Sequence, residues 1–88
     1  MGIIEKMRLD GKSIFVTGGA RGIGKSVATA FCEAGANVAI VDVDIAAAQE
    51  TAQWLRETTG ADTMAIRADV TDPADVDAMI AAVLNKYG

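Results

Sequence analysis

The chain has no histidine. Imidazole is thereby excluded as general base, proton shuttle or metal ligand within these residues. The single cysteine, Cys32, cannot close an internal disulfide, so nothing here demands an oxidising compartment. No apolar run reaches the ~18 residues that a membrane span requires. The opening Met1-Gly-Ile-Ile-Glu-Lys6 is too charged and too short for a signal peptide. Lys6 also stands where the myristoylation pattern wants Ser or Thr. The net charge is −4, and the eight Lys and Arg residues are scattered, without the basic stripe that nucleic acid selects. These absences predict a cytoplasmic protein with neither a membrane nor a nucleic-acid partner.

What is present is apolar material: 51% of the 88 residues are hydrophobic, too many for a disordered chain. That length makes one small domain, burying roughly 65% of its unfolded surface. Residues 1–12 read as an N-terminal extension ending in the turn Asp10-Gly11-Lys12, and residues 13–88 as the domain.

Within the domain, apolar runs alternate with helical spacing. Strands are predicted over 13–17, 37–42 and 63–68, the third with the weaker pattern of a sheet edge. Helix one is predicted over 22–34, with Ile23, Val27, Ala30, Phe31 and Ala34 on one face and Gly35 as its left-handed stop. Helix two runs over 45–58 and stops at Gly60, with Leu55 packed and Trp54 half exposed. Helix three starts from Asp72 as N-cap and Pro73 as first helical residue, with Val76, Met79, Ile80, Val83 and Tyr87 on one face. Asp72, Asp75 and Asp77 complement the helix dipole and are not read as a metal site. Two-faced apolar strands alternating with helices imply a parallel sheet covered on both sides. Right-handed crossovers give the strand order 3-2-1, the first mononucleotide-binding half of a doubly wound α/β fold.

The loop after strand one, Thr17-Gly-Gly-Ala-Arg-Gly-Ile-Gly24, fits two phosphate-binding patterns. Gly19 through Ser26 matches the P-loop pattern G-x4-G-K-S, with Lys25 for phosphates and Ser26 for a metal. The alternative spacing, Thr17-Gly18-x-x-x-Gly22-x-Gly24, closely resembles the short-chain dehydrogenase/reductase family. In that family's Rossmann-type loop the first glycine makes the turn and the second admits the pyrophosphate. The third allows close helix–strand packing. Those roles fall to Gly18, Gly22 and Gly24.

Two further segments favour the second pattern. Asp42 ends strand two about 20 residues past the loop, where dinucleotide folds place an acid on the adenosine ribose. Asp69-Val70 resembles the family's pair at the end of strand three, with Asp69 on the adenine amino group and the Val70 N–H on a ring nitrogen. Asp69 also has a plainer reading, as a turn-forming residue ending the strand. The expected cofactor-binding set is thus Gly18, Arg21, Gly22, Ile23, Gly24, Asp42, Asp69 and Val70.

NAD is preferred over NADP. A 2′-phosphate beside Asp42 would put like charges ~4 Å apart, costing on the order of 4 kcal/mol at an effective dielectric near 20. Val43 and Asp44 follow Asp42 and supply no cation. Arg21 could pair with a 2′-phosphate but occurs in the family with either cofactor.

The resemblance implies an NAD-dependent oxidoreductase acting on a secondary alcohol or ketone of sugar, polyol or 3-oxoacyl type, assembled as a homo-oligomer. The family's catalytic Ser and Tyr-x-x-x-Lys have no counterpart in these residues. No catalytic residue is assigned, and these residues alone are expected to be inactive. In the 3-2-1 order strand one is an open apolar edge, so they are also expected to be marginally stable or self-associating. The alternatives are a non-catalytic adenine-nucleotide module and a P-loop phosphotransferase.

Overall fold

A computed structural model describes residues 11–87; the expected extension over 1–12 therefore lies almost wholly outside the described residues. Three strands, β1 (Ser13–Thr17), β2 (Asn37–Asp42) and β3 (Thr63–Arg67), form one parallel sheet in the order β1-β2-β3. They alternate with three helices, α1 (Gly22–Glu33), α2 (Ile45–Thr59) and α3 (Pro73–Tyr87). The sheet runs in register from Ser13 opposite Asn37 to Asp42 opposite Arg67. That register brings the carboxyl ends of all three strands to one edge.

Strand β2 lies between the other two. Val38, Ala39, Ile40 and Val41 are completely buried, as expected for a strand covered on both faces. Val38 and Ile40 join Val16, Ala28, Cys32, Ala48, Ala52 and Leu55 in a core between the sheet and the α1–α2 layer. Val41 points the other way, into a smaller cluster with Ala68 and Met79 under α3.

The helix ends follow local chemistry. Gly60 takes a left-handed conformation and its N–H reaches the Arg56 carbonyl, closing α2. Asp72 opens α3: its carbonyl accepts from Val76 N–H at 3.1 Å and its carboxylate from Ala74 N–H at 3.0 Å. Asp75 accepts from Asp69 N–H at 2.9 Å, so a residue expected only to complement the dipole also ties α3 to the end of β3. At the far end Tyr87 Oη donates to the Asp62 carbonyl at 3.3 Å.

Two expected helix faces are each corrected at one residue. Ile23, assigned to the buried face of α1, is 85% exposed; Ala30 and Ala34 of that face are buried and Phe31 packs against the core, where Ala28 and Cys32 join it. Gly24, Ala28 and Cys32 recur every four residues, and small side chains let α1 approach the sheet more closely than Ile23 or Val27 would. On α3, Met79 and Val83 are buried while Ile80 is 40% exposed. Trp54 is 41% exposed beside a fully buried Leu55, as the periodicity implied.

Cys32 gives the fold a pH signature. Burial pushes its thiol from an ordinary 9.0 up to about 11, partly offset by a hydrogen bond with Thr59. Burial, then Asp62, pushes Tyr87 from 10.0 up to about 12. Both groups hold their protons more tightly when folded, so the stability they contribute is complete below pH 9.0 and is lost as pH rises to about 12. The thiol alone accounts for on the order of 2 kcal/mol. Calorimetric Tm should be flat to about pH 9 and then fall, and Cys32→Ala should remove the earlier part of the decline.

Candidate cofactor-binding site

The site is built where β1 and β2 end. The loop leaving β1 stays hydrogen-bonded to β2: Gly18 N–H donates to the Val41 carbonyl at 2.8 Å. Gly18 and Gly22 both have positive φ, +64° and +57°, and a Cβ on either would meet no atom within 4 Å. The space over these two positions is open, as a cradle for an anion requires. Gly24 is different, because a Cβ there would strike the Gly18 carbonyl oxygen and lie 2.9 Å from its carbon. Two of the three positions are thus open and the third is closely packed.

Helix α1 differs from the other two at its start. Its N-cap is Arg21, which makes no side-chain cap hydrogen bond, and the first turn carries no acid. Helices α2 and α3 are capped by the carboxylates of Asp44 and Asp72. The first N–H groups of α1 are thus left to an external acceptor, next to the open glycine positions.

Across the strand ends lies a cleft of about 330 Å³, lined by Thr17, Gly18, Val41, Asp42, Val43, Ala68, Asp69 and Val70. It brings together four of the eight expected residues: Gly18, Asp42, Asp69 and Val70. Asp42 Oδ1 accepts from Asp44 N–H at 3.1 Å. Asp69 Oδ1 accepts from both the Thr71 N–H, at 2.9 Å, and its hydroxyl, at 2.6 Å. These bonds hold the Asp69 carboxyl below its ordinary range, so it is ionised at neutral pH. The turn-forming reading of Asp69 is realised in this conformation, and its Oδ2 is the oxygen left for a ligand among the described residues.

The remaining four do not line the cleft. Gly24 is packed against Gly18 and Ile23 is exposed to solvent, while Gly22 lies at the start of α1 beside Lys25 and Ser26. Arg21 turns to Asp44, with Nη2 at 2.8 Å from Oδ2. The P-loop pattern finds no support in the side chains it would use. Lys25 Nζ lies 4.4 Å from the centre of the Trp54 ring, and Ser26 Oγ donates to the Gly22 carbonyl at 3.4 Å. Both belong to the outer surface of α1.

Two features were missed by reading residues alone. A Cβ on Gly19 would lie 2.8 Å from the Val16 carbonyl oxygen, so that glycine is fixed by packing under either pattern. Thr51, buried within α2, donates through Oγ1 to the Ala20 carbonyl at 2.7 Å and clamps the loop from behind. A lone threonine inside a helix carries no sequence signal for such a role. The donor chemistry fits a dinucleotide: backbone N–H groups for phosphate, and the carboxylates of Asp42 and Asp69 for hydroxyl or amino donors.

Known proteins resemble this chain in sequence and fold. The sequence pattern described as short chain dehydrogenase matches residues 12–88. Sorbitol dehydrogenase of Cereibacter sphaeroides is 45% identical over 82 residues, which is 93% of this chain and 30% of that protein. Galactitol 2-dehydrogenase of Agrobacterium fabrum is 44% identical over the same length and the same shares. The crystal structure of hydroxysteroid dehydrogenase from Escherichia coli superposes with a TM-score of 0.89 at 33% identity, covering 96% of this chain and 35% of that one. The chain spans about a third of the length of the relatives it matches. With a match over residues 12–88 and the same fold, the chain belongs to the short chain dehydrogenase family.

Proposed function

We propose that these residues are the dinucleotide-binding part of an NAD-dependent oxidoreductase that interconverts a secondary alcohol and a ketone. The observation that carries the reading is the position of Asp42, at the end of β2 in the cleft that Gly18, Asp69 and Val70 share. There the carboxylate accepts the hydroxyl protons of an unphosphorylated ribose, and a 2′-phosphate meets a like charge. Arg21, the cation of the glycine loop, is occupied by Asp44, and Arg67, opposite Asp42 in the sheet, by Asp75.

The chemistry of a bound nicotinamide is hydride exchange with the substrate carbon. The residues described here hold and orient. Gly18, Gly22 and the start of α1 receive the pyrophosphate, while Asp69 and the Val70 N–H receive the adenine. Ile23, exposed at the first turn of α1, is an apolar neighbour of the same ligand. The matched sorbitol and galactitol dehydrogenases favour a polyol or sugar substrate over a 3-oxoacyl one. The cytoplasm and a homo-oligomeric assembly complete the proposal; among the described residues no helix is long and apolar enough to cross a membrane.

The test is cofactor preference. Titration of the full chain should show NAD bound more tightly than NADP, and Asp42→Ala should narrow that ratio by about tenfold or more, the low end of what a like-charge clash costs. An unchanged ratio would remove the role given to this carboxylate.

A further inference from the structure

We propose that Asp44 is a positioning residue that adds to the discrimination against a 2′-phosphorylated dinucleotide by engaging Arg21. The inference rests on the reading of Asp42 as the ribose acceptor and names a second residue that enforces it. Asp44 divides its contacts three ways. Its Oδ1 accepts from Ala47 N–H at 3.1 Å and caps α2. Its Oδ2 accepts from Arg21 Nη2 at 2.8 Å, and its own N–H donates to Asp42 Oδ1 at 3.1 Å. One residue therefore joins the arginine of the glycine loop to the carboxylate at the ribose end of the cleft.

The cap makes this more than a passing surface contact. With Oδ1 committed to the first turn of α2, the carboxylate plane is fixed and Oδ2 faces the glycine loop. Arg21 is itself largely exposed, so the pair is weak in water and would exchange for a stronger anion. That exchange does not help a 2′-phosphate. If Arg21 swings to the phosphate, Asp44 remains as a second negative charge beside Asp42. If Arg21 stays, the loop's cation is withheld, and Arg67, opposite Asp42 on β3, is itself held by Asp75. Both routes disfavour the phosphorylated ribose, and both depend on the Asp44 charge. Read from sequence, Asp44 merely failed to supply a cation; in the fold it also neutralises the one the loop provides.

The experiment compares two probes on the full chain by calorimetry, 5′-AMP and the same nucleotide carrying a 2′-phosphate. Asp44→Asn keeps an equally good cap and removes the charge. It should improve binding of the phosphorylated probe relative to 5′-AMP by about two- to fivefold, the range of an exposed ion pair. The gain should shrink at high salt. Adding Arg21→Ala to Asp44→Asn should remove most of it and leave only the smaller part that comes from one negative charge fewer beside Asp42. Asp44→Ser, also a good cap, provides the same comparison should the Asn variant melt early. A shift with Asp42→Ala but none with either Asp44 variant overturns this proposal alone. A gain undiminished by Arg21→Ala overturns the route through the arginine. No shift with Asp42→Ala overturns the reading beneath it.

Discussion

Gly24→Ala should abolish dinucleotide binding and lower the Tm by roughly 12–24 °C, equivalent to about 3 kcal/mol in a domain this small. The added Cβ strikes the Gly18 carbonyl oxygen and lies 2.9 Å from the Gly18 carbon and 3.0 Å from the Gly19 Cα. All three are backbone atoms, so no side chain can rotate away. The loop cannot yield cheaply either, because Gly18 N–H is bonded to Val41 on the central strand. The helix must then move outward, and Ala28 and Cys32 lose their contact with the sheet. Overpacking of this kind costs about 1–3 kcal/mol where side chains can adjust, and the upper end applies where backbone meets backbone. Gly22→Ala is the control. Its Cβ meets nothing, so its cost is the left-handed backbone alone, about 1 kcal/mol. Binding should nevertheless suffer, since that Cβ enters the open space over the loop. A Gly24→Ala chain that melts with the wild type would refute the close approach of α1 to the loop.

The contrast between these glycines marks what could be read from residues. Spacing identified the loop, because only a strand, a tight turn and a helix start arrange glycines at Gly18, Gly22 and Gly24 before an apolar stripe. Asp42 was legible for the same reason: it ends a fully apolar run, and strand ends in a parallel sheet share an edge. The order β1-β2-β3 followed from crossover handedness. The contact face of α1 was legible only in part. Ala30, Phe31 and Ala34 are where periodicity puts them, but periodicity weighs large side chains and so favours Ile23 over Ala28 and Cys32, whose value lies in being small enough for close packing. The partners of polar side chains were illegible for another reason. Arg21 and Asp44 are 23 positions apart and meet only because two strand–helix junctions lie side by side. Thr51 reaches Ala20 across 31 positions for the same reason.

Ile40→Ala should be the most damaging of the core substitutions, costing about 3–4 kcal/mol, within the range for removing three buried carbons from a packed interior. The reason is how few large side chains this core has. Ala28, Ala36, Ala48 and Ala52 fill much of the space between sheet and helices, and the largest fully buried side chains are Ile40, Leu55, Val38, Val41 and Thr63. Ile40 sits at the middle of the central strand, so neither β1 nor β3 can shift to fill the cavity without breaking the ladder on the other side. A small domain has a stability of roughly 5 kcal/mol, near the low end for native proteins, so such a loss leaves a substantial unfolded fraction. Urea titration should show the midpoint falling with an unchanged slope, and Ile40→Val should cost about 1 kcal/mol. A loss below about 1 kcal/mol for Ile40→Ala would mean that the α1–α2 layer collapses onto the sheet more freely than its small-residue packing implies. The effect also reaches the site, since the next residue, Val41, supplies the carbonyl that holds Gly18. If the loop binds a dinucleotide only when that strand is formed, NAD at 100 times its Kd should restore about 2.7 kcal/mol to the variant. Rescue by NAD would then show core and cofactor loop to be one cooperative unit.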